Sequence, residues 1–168
     1  MSTSVAVNTF THSVTHVTAE MMTGLKMIVL LSGLSLDKIR NDWESVETAI
    51  YTWLSSRHLQ KVTLEVYDGG TNALVTRWDF DIDYTYGTNN DEALWADHQA
   101  IRFAIAKAGV IASKCRYEFK ILAPGGAFVS GWSAVPYRST SGFTQHSVGN
   151  TIGGSSIASS TSYWRKAS

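Results

Sequence analysis

Near residue 60 the spacing of apolar side chains changes from helical to strand-like, and this change limits the fold more than any other feature. Before it, Val14, Val17, Met21, Leu25, Ile28 and Leu31 recur at steps of three and four. Leu36, Ile39, Trp43, Val46, Ile50, Trp53 and Leu54 do the same. Such spacing lines one face of a helix. A first helix is expected from Thr11 to a stop at Gly33, and a second over about 36–57. After the change, Val62, Leu64 and Val66 alternate with polar neighbours, and a turn cluster follows at 68–72. Leu74, Thr76, Trp78, Phe80, Ile82 and Tyr84 then alternate with Val75, Arg77, Asp79, Asp81 and Asp83. The pattern predicts an antiparallel hairpin with one apolar face and one solvated face.

A third helix is expected around Leu94, His98, Ile101, Ile105 and Ala108, capped by Asn89 or Asn90 and ended by Gly109. A last strand, 115–122, closes at Pro124-Gly125-Gly126. Three strands leave two sheet edges near the centre, and an uncovered edge invites pairing. Residues 125–168 remain to cover one, in more than one way. Half of these 44 residues are Gly, Ser or Thr, and none is Asp or Glu. Their cations are Arg138, Arg165 and Lys166. A plain linker would not carry Trp132, Tyr137, Phe143, Tyr163 and Trp164. A segment that must lie in two places needs weak backbone preference and a few strong anchors, and these aromatics are the expected anchors. Residues 1–10, small and polar, read as an extended, mobile arm.

Several function classes receive no support. Net charge is zero, so nothing favours a nucleic-acid or membrane-surface binder. One cysteine, Cys115, excludes an internal disulfide framework and a cysteine zinc site. The longest apolar run, Met27 to Leu31, is far short of the roughly 20 residues of a bilayer span. With no secretion signal at Met1–Phe10, the cytoplasm is the expected compartment. His12, His16 and Glu20 stand four apart and could share a metal, but Ser13 occupies the place of the zincin glutamate. Asp79, Asp81 and Asp83 share a strand face and could hold a divalent cation. The commoner reading of such a face is solvation that opposes strand pairing, and no phosphate-cradling loop accompanies it. Cys115 lies between Lys114 and Arg116 without a His nearby, as a structural thiol does. Gly131-Trp132-Ser133 is no nucleophile elbow, since Val135 replaces the second glycine. No catalytic residue, metal or cofactor is expected.

Other stretches carry a likeness. They are Thr11-His12-Ser13-Val14-Thr15, Ile28 to Leu34, Asp42-Trp43-Glu44-Ser45 and Thr52-Trp53-Leu54. Leu74 to Ile82, Gly131-Trp132-Ser133, Tyr137-Arg138-Ser139-Thr140 and Tyr163-Trp164-Arg165 extend it. Over nearly its whole length the chain resembles bacterial HORMA-domain proteins of CBASS antiphage operons. The resemblance implies an α+β fold: a three-stranded antiparallel sheet backed by three helices, with a C-terminal safety belt. It divides the single domain 1–168 into an arm (1–10), a core (11–124) and a belt (125–168). It further implies that the closed belt holds a closure-motif peptide as an added strand. Here that strand would meet Arg116, Tyr117, Glu118, Phe119, Lys120 and Ile121, because backbone pairing gives affinity with modest sequence demand. The implied partners are a cGAS-like (CD-NTase) nucleotidyltransferase that makes a cyclic oligonucleotide and an AAA+ remodelling ATPase that reopens the belt. The remodeller's handle would be Ser2, Thr3, Ser4, Val5, Ala6 and Val7. Eukaryotic members carry a hairpin after the first helix, for which Ser35 to Arg40 leaves no room. The alternatives are a peptide-binding adaptor with a fixed tail and a metal-dependent enzyme using Asp79, Asp81 and Asp83.

Overall fold

In a computed structural model the helices form where the apolar stripes lie. The structure describes residues 2–84, 94–109, 111, 114–133, 136–154 and 156–166, and for residues 2–9 only the backbone. Helix α1 spans Ser2–Leu31 and α2 spans Asp37–Ser55. The helical backbone therefore starts well before Thr11 and takes in the segment read as an extended arm. An established helix extends without a new nucleation step, so weak formers such as Ser, Thr and Val can follow it. The side chains of the expected handle, Ser2 to Val7, lie outside the described residues. Gly33, at φ 84°, ends α1. Beside it the Leu34 N–H donates to the Val29 carbonyl at 3.0 Å, the six-to-one bond of a glycine cap. By length and composition Phe10–Leu31 could cross a membrane. In the fold Val14, Val17, Met21, Met22, Leu25, Ile28 and Val29 are buried in the core.

Strands β1 (Lys61–Asp68) and β2 (Leu74–Tyr84) form the expected hairpin. A two-residue strand, β3 (Trp95–Ala96), precedes α3 (His98–Ala108). Asp97 caps α3, its carboxylate accepting from the Ala100 N–H at 3.1 Å. Leu94 thus stands before the helix and not in it, and the expected caps Asn89 and Asn90 lie outside the described residues. Strand β4 is Cys115–Leu122, as expected.

The tail supplies two further strands, β5 (Phe143–Gly153) and β6 (Ile157–Lys166). The sheet therefore has six strands and not three, in the order β3-β5-β6-β2-β1-β4. Serine and threonine fill alternate buried positions of β6, with Ser159 and Thr161 between Ile157 and Tyr163. Hydropathy hides a period made by small hydroxylated side chains. β6 closes the outer edge of β2, while β4 ends the sheet on the other side. Residues 125–168 thus divide into a crossing segment, up to Gly142, and a hairpin built into the sheet.

Candidate functional site at the free edge of β4

β4 pairs with β1 alone among the described residues. Among the described residues, its outer edge makes no backbone hydrogen bond to the segment that follows it. That segment is pinned to α2 instead. The Trp53 indole N–H donates to the Ala127 carbonyl at 2.9 Å. Farther on, the Trp132 indole N–H donates to Ser45 Oγ at 3.1 Å and lies 3.3 Å from the Ser45 carbonyl. Gly126 makes the first pin sterically feasible, since a Cβ there would lie 2.6 Å from the Trp53 ring. Between the pinned segment and β4 lie two adjoining cavities. One, about 420 Å³, is walled by Trp53, Ile121, Leu122, Phe128, Val129 and Trp132. The other, about 190 Å³, is walled by Phe119, Lys120, Ile121, Gly131, Trp132 and Tyr137.

Residues 136–138 then cross the sheet face opposite the helices. Strand register sets two polar rows there. Glu118, Glu65, Arg77 and Trp164 stand side by side on β4, β1, β2 and β6. Lys120, Thr63, Asp79 and Ser162 form the next row. This face is not solvated as expected: Glu65 is 0% exposed, Asp79 1%, Lys120 7% and Arg77 8%. The crossing segment covers it and supplies partners, since buried charges must be paired. Lys120 Nζ lies 3.1 Å from Glu65 and donates to the Pro136 carbonyl. The Arg77 guanidinium packs over the Tyr137 ring at 4.4 Å.

The three aspartates separate. Asp79 accepts from Thr63 Oγ1 at 2.7 Å, Arg77 Nε at 2.9 Å and the Trp164 indole at 3.0 Å. Asp81 faces Lys61 at 3.7 Å; burial raises its pKa against the pull of that lysine. Asp83 is exposed. Among the described residues no three His, Cys, Asp or Glu side chains gather as metal ligands. His16 Nε2 lies 2.8 Å from the Trp95 carbonyl, and Glu20 binds His98 on α3 at 2.5 Å, so the helical His/Glu series is split among partners.

The family model for bacterial HORMA domain 2 matches residues 2–167. The chain belongs to this family. No curated protein matches it in sequence. Among solved structures, it is similar to a chain of the mitotic checkpoint complex, with TM-score 0.75 and 13% identity over 93% of this chain and 99% of that one. It is also similar to the Escherichia coli MS115-1 CdnC:HORMA-deltaN complex, with TM-score 0.60 and 13% identity over 94% and 90%. C. elegans HTP-2 bound to a HIM-3 closure motif gives TM-score 0.56 and 11% identity over 80% and 73%. At such identities the shared property is the HORMA fold.

Within this HORMA domain, 116–121 form the free edge strand, with Tyr117 and Phe119 turned to the core and Arg116, Glu118 and Lys120 on the polar face. The expected anchors fall in different places. Trp132 and Tyr137 belong to the crossing segment. Phe143 opens β5, Tyr163 stacks on Trp78 at 4.9 Å, and Trp164 bonds Asp79. Sequence reasoning assigned no site role to Glu65, Arg138, Ser45 or Asn72. A tail with one cation before its final residues, facing a strand with a central Glu, was the available signal.

Proposed function

We propose that this HORMA domain is a peptide-sensing conformational switch that works in the cytoplasm. An extended closure-motif peptide pairs with the outer edge of β4, between that strand and the belt. The observation that carries this reading is a strand edge that, among the described residues, has no backbone partners and lies beside two cavities. Added-strand recognition uses such an edge: backbone bonds supply affinity, and pockets on alternate sides read side chains. The backbone of Arg116 to Ile121 receives the strand. Trp132 and Tyr137 hold the belt over it, and Phe143, Tyr163 and Trp164 seat the hairpin that ends the belt.

Shifting a two-state equilibrium from 1:99 to 99:1 takes about 5.5 kcal/mol of differential binding. Backbone bonds at roughly 1 kcal/mol each, with buried anchors at about 1.5–3 kcal/mol each, supply it. HORMA domains act as adaptors, and similarity to a CdnC:HORMA complex supports a cGAS-like nucleotidyltransferase as the partner. The peptide-bound domain activates that enzyme to make a cyclic oligonucleotide in antiphage defence. An AAA+ remodeller reopens the belt from the N-terminus; since α1 begins at Ser2, it must first unwind that helical end.

The test is selection of peptides from a random library on the full chain, followed by hydrogen exchange. Bound peptides are expected to slow exchange of outward-facing β4 amides and to raise cyclic-oligonucleotide synthesis by the nucleotidyltransferase. Peptides that bind tightly yet leave β4 exchange unchanged would overturn the reading.

A further inference from the structure

Arg138, in the crossing segment, bonds residues of three different elements. Its backbone N–H donates to Glu65 Oε2 at 2.9 Å, and its Nη1 to Glu65 Oε1 at 2.7 Å. The same Nη1 reaches Glu118 at 2.5 Å. Its Nε donates to the Asn72 carbonyl at 3.1 Å and its Nη2 to Asn72 Oδ1 at 2.8 Å. Its guanidinium lies 3.8 Å from the centre of the Tyr67 ring. One side chain thus ties the belt to β1, to the β1–β2 turn and to the free edge strand β4.

The receptor is as specific as the ligand. Glu65 is fully buried in the middle of β1, a place that suits a carboxylate only when its charge is matched. Lys120 reaches one oxygen, but the other accepts from the Arg138 backbone. Asn72, at φ 64°, holds a left-handed turn conformation that Asn tolerates, and this turns its carbonyl and side chain toward the guanidinium. Burial opposes the charge on Arg138, and the Glu118 and Glu65 carboxylates outweigh it, so its pKa stands above the ordinary value.

We propose that Arg138 is the positioning residue that fixes the belt in its path past β4, with Glu65 and Asn72 as its built receptor. Without its side chain the segment keeps its two α2 pins, the Lys120 bond to the Pro136 carbonyl and the Arg77–Tyr137 contact, but loses its ties to Glu118 and Asn72 and the guanidinium that matches Glu65. The cavity wall at Tyr137 then moves with it, so the peptide site forms fully only when Arg138 is seated. This rests on the reading of 125–168 as a safety belt, of which it concerns the crossing segment up to Gly142, and its readout needs no peptide.

The experiment is hydrogen-exchange mass spectrometry on the full chain for wild type, Arg138→Gln, Arg138→Lys, Glu65→Gln and the Arg138→Gln/Glu65→Gln double variant. The expected result for Arg138→Gln is exchange across 129–142 faster by about tenfold or more, while α1, α2 and β2 stay within twofold of wild type. Arg138→Lys keeps the charge without the planar fork, and is expected to fall between the two. The Arg138→Gln/Glu65→Gln double variant is expected to open the belt no further than the worse single variant, as for one shared interaction. Belt exchange within twofold of wild type in Arg138→Gln would overturn the proposal. Uniform acceleration over the whole chain would overturn it too, since Arg138 would then be a general stabiliser. Should Arg138→Gln not fold, Arg138→Lys and Glu65→Gln carry the same comparison. If the belt opens as expected and selected peptides still leave β4 unprotected, the peptide reading fails and the latch stands.

Discussion

Replacing Asp79 by Asn tests the buried polar face directly. The carboxylate is 1% exposed and accepts from Thr63, Arg77 and Trp164. All three donors belong to strands of the sheet, on β1, β2 and β6. Asparagine keeps one oxygen and turns an NH₂ group toward at least one of these donors, so a donor faces a donor. The Arg77 side chain, 9% exposed, loses the only carboxylate that bonds it among the described residues. Removing one partner of a buried ion pair costs about 3–5 kcal/mol, because the other charge stays buried. That is a large share of the roughly 5–15 kcal/mol that holds a domain of this kind together. Urea unfolding followed by tryptophan fluorescence and far-ultraviolet circular dichroism measures the loss, with an unchanged slope showing that the same transition is being compared. The exposed Asp83→Asn is the control and should stay within about 0.5 kcal/mol of wild type. A metal-binding trio behaves in the opposite way: without a cation, neutralising one of three like charges relieves repulsion. Asp79→Asn as stable as wild type, or more so, would refute this structural role of Asp79.

Three further outcomes follow from the geometry. Gly126→Ala places a Cβ 2.6 Å from the Trp53 ring and 3.1 Å from the Ala123 carbonyl; it should lower stability by about 1–3 kcal/mol, read as a fall in Tm. Tyr117→Phe removes a hydroxyl that accepts from the Ile39 N–H at 3.0 Å and donates to the Ser35 carbonyl at 2.5 Å; losing this substitute helix cap should cost about 0.5–2 kcal/mol in urea unfolding. Burial holds the Tyr117 pKa above its ordinary value, so its stabilisation is complete below about pH 10 and fades as pH rises further, a loss the Phe variant should lack. Asp68 accepts from the Thr71 and Gly70 N–H groups and from Lys114, which lower its pKa to about 2. Its contribution should therefore persist down to about pH 4 and vanish as pH falls toward 2, and Asp68→Asn should flatten that part of the acid-unfolding curve.

The helices, the hairpin and β4 were legible because each writes its own period into the chain. Ile39, Val46, Ile50, Trp53 and Leu54 repeat at helical steps and are all buried on α2. Val62, Leu64 and Val66 alternate and are buried on β1. β5 and β6 were not legible, because serine and threonine occupy strand positions that hydropathy marks as loop. α2 shows the same limit at its start. Leu36 stands at the N-cap and makes no side-chain cap bond, and the Ile39 N–H is met by Tyr117 from β4 instead. Spacing along the chain cannot announce a cap supplied from 78 residues away.

By itself the sequence determined local periods, and with them the helical layer, the apolar sheet face and an edge strand followed by a long adaptable tail. Those follow from interactions between residues a few positions apart, which any reading of spacing recovers. Tertiary structure alone decided where the tail runs. It placed β6 on β2 and, among the described residues, left the outer edge of β4 unpaired. It also turned a face that alternation marks as wet into a buried one, with Glu65, Lys120, Asp79 and Arg77 matched charge to charge. The physical reason is that burial of a charged side chain depends on a partner meeting it. Arg138 meets Glu65 across 73 residues of chain that no local pattern spans.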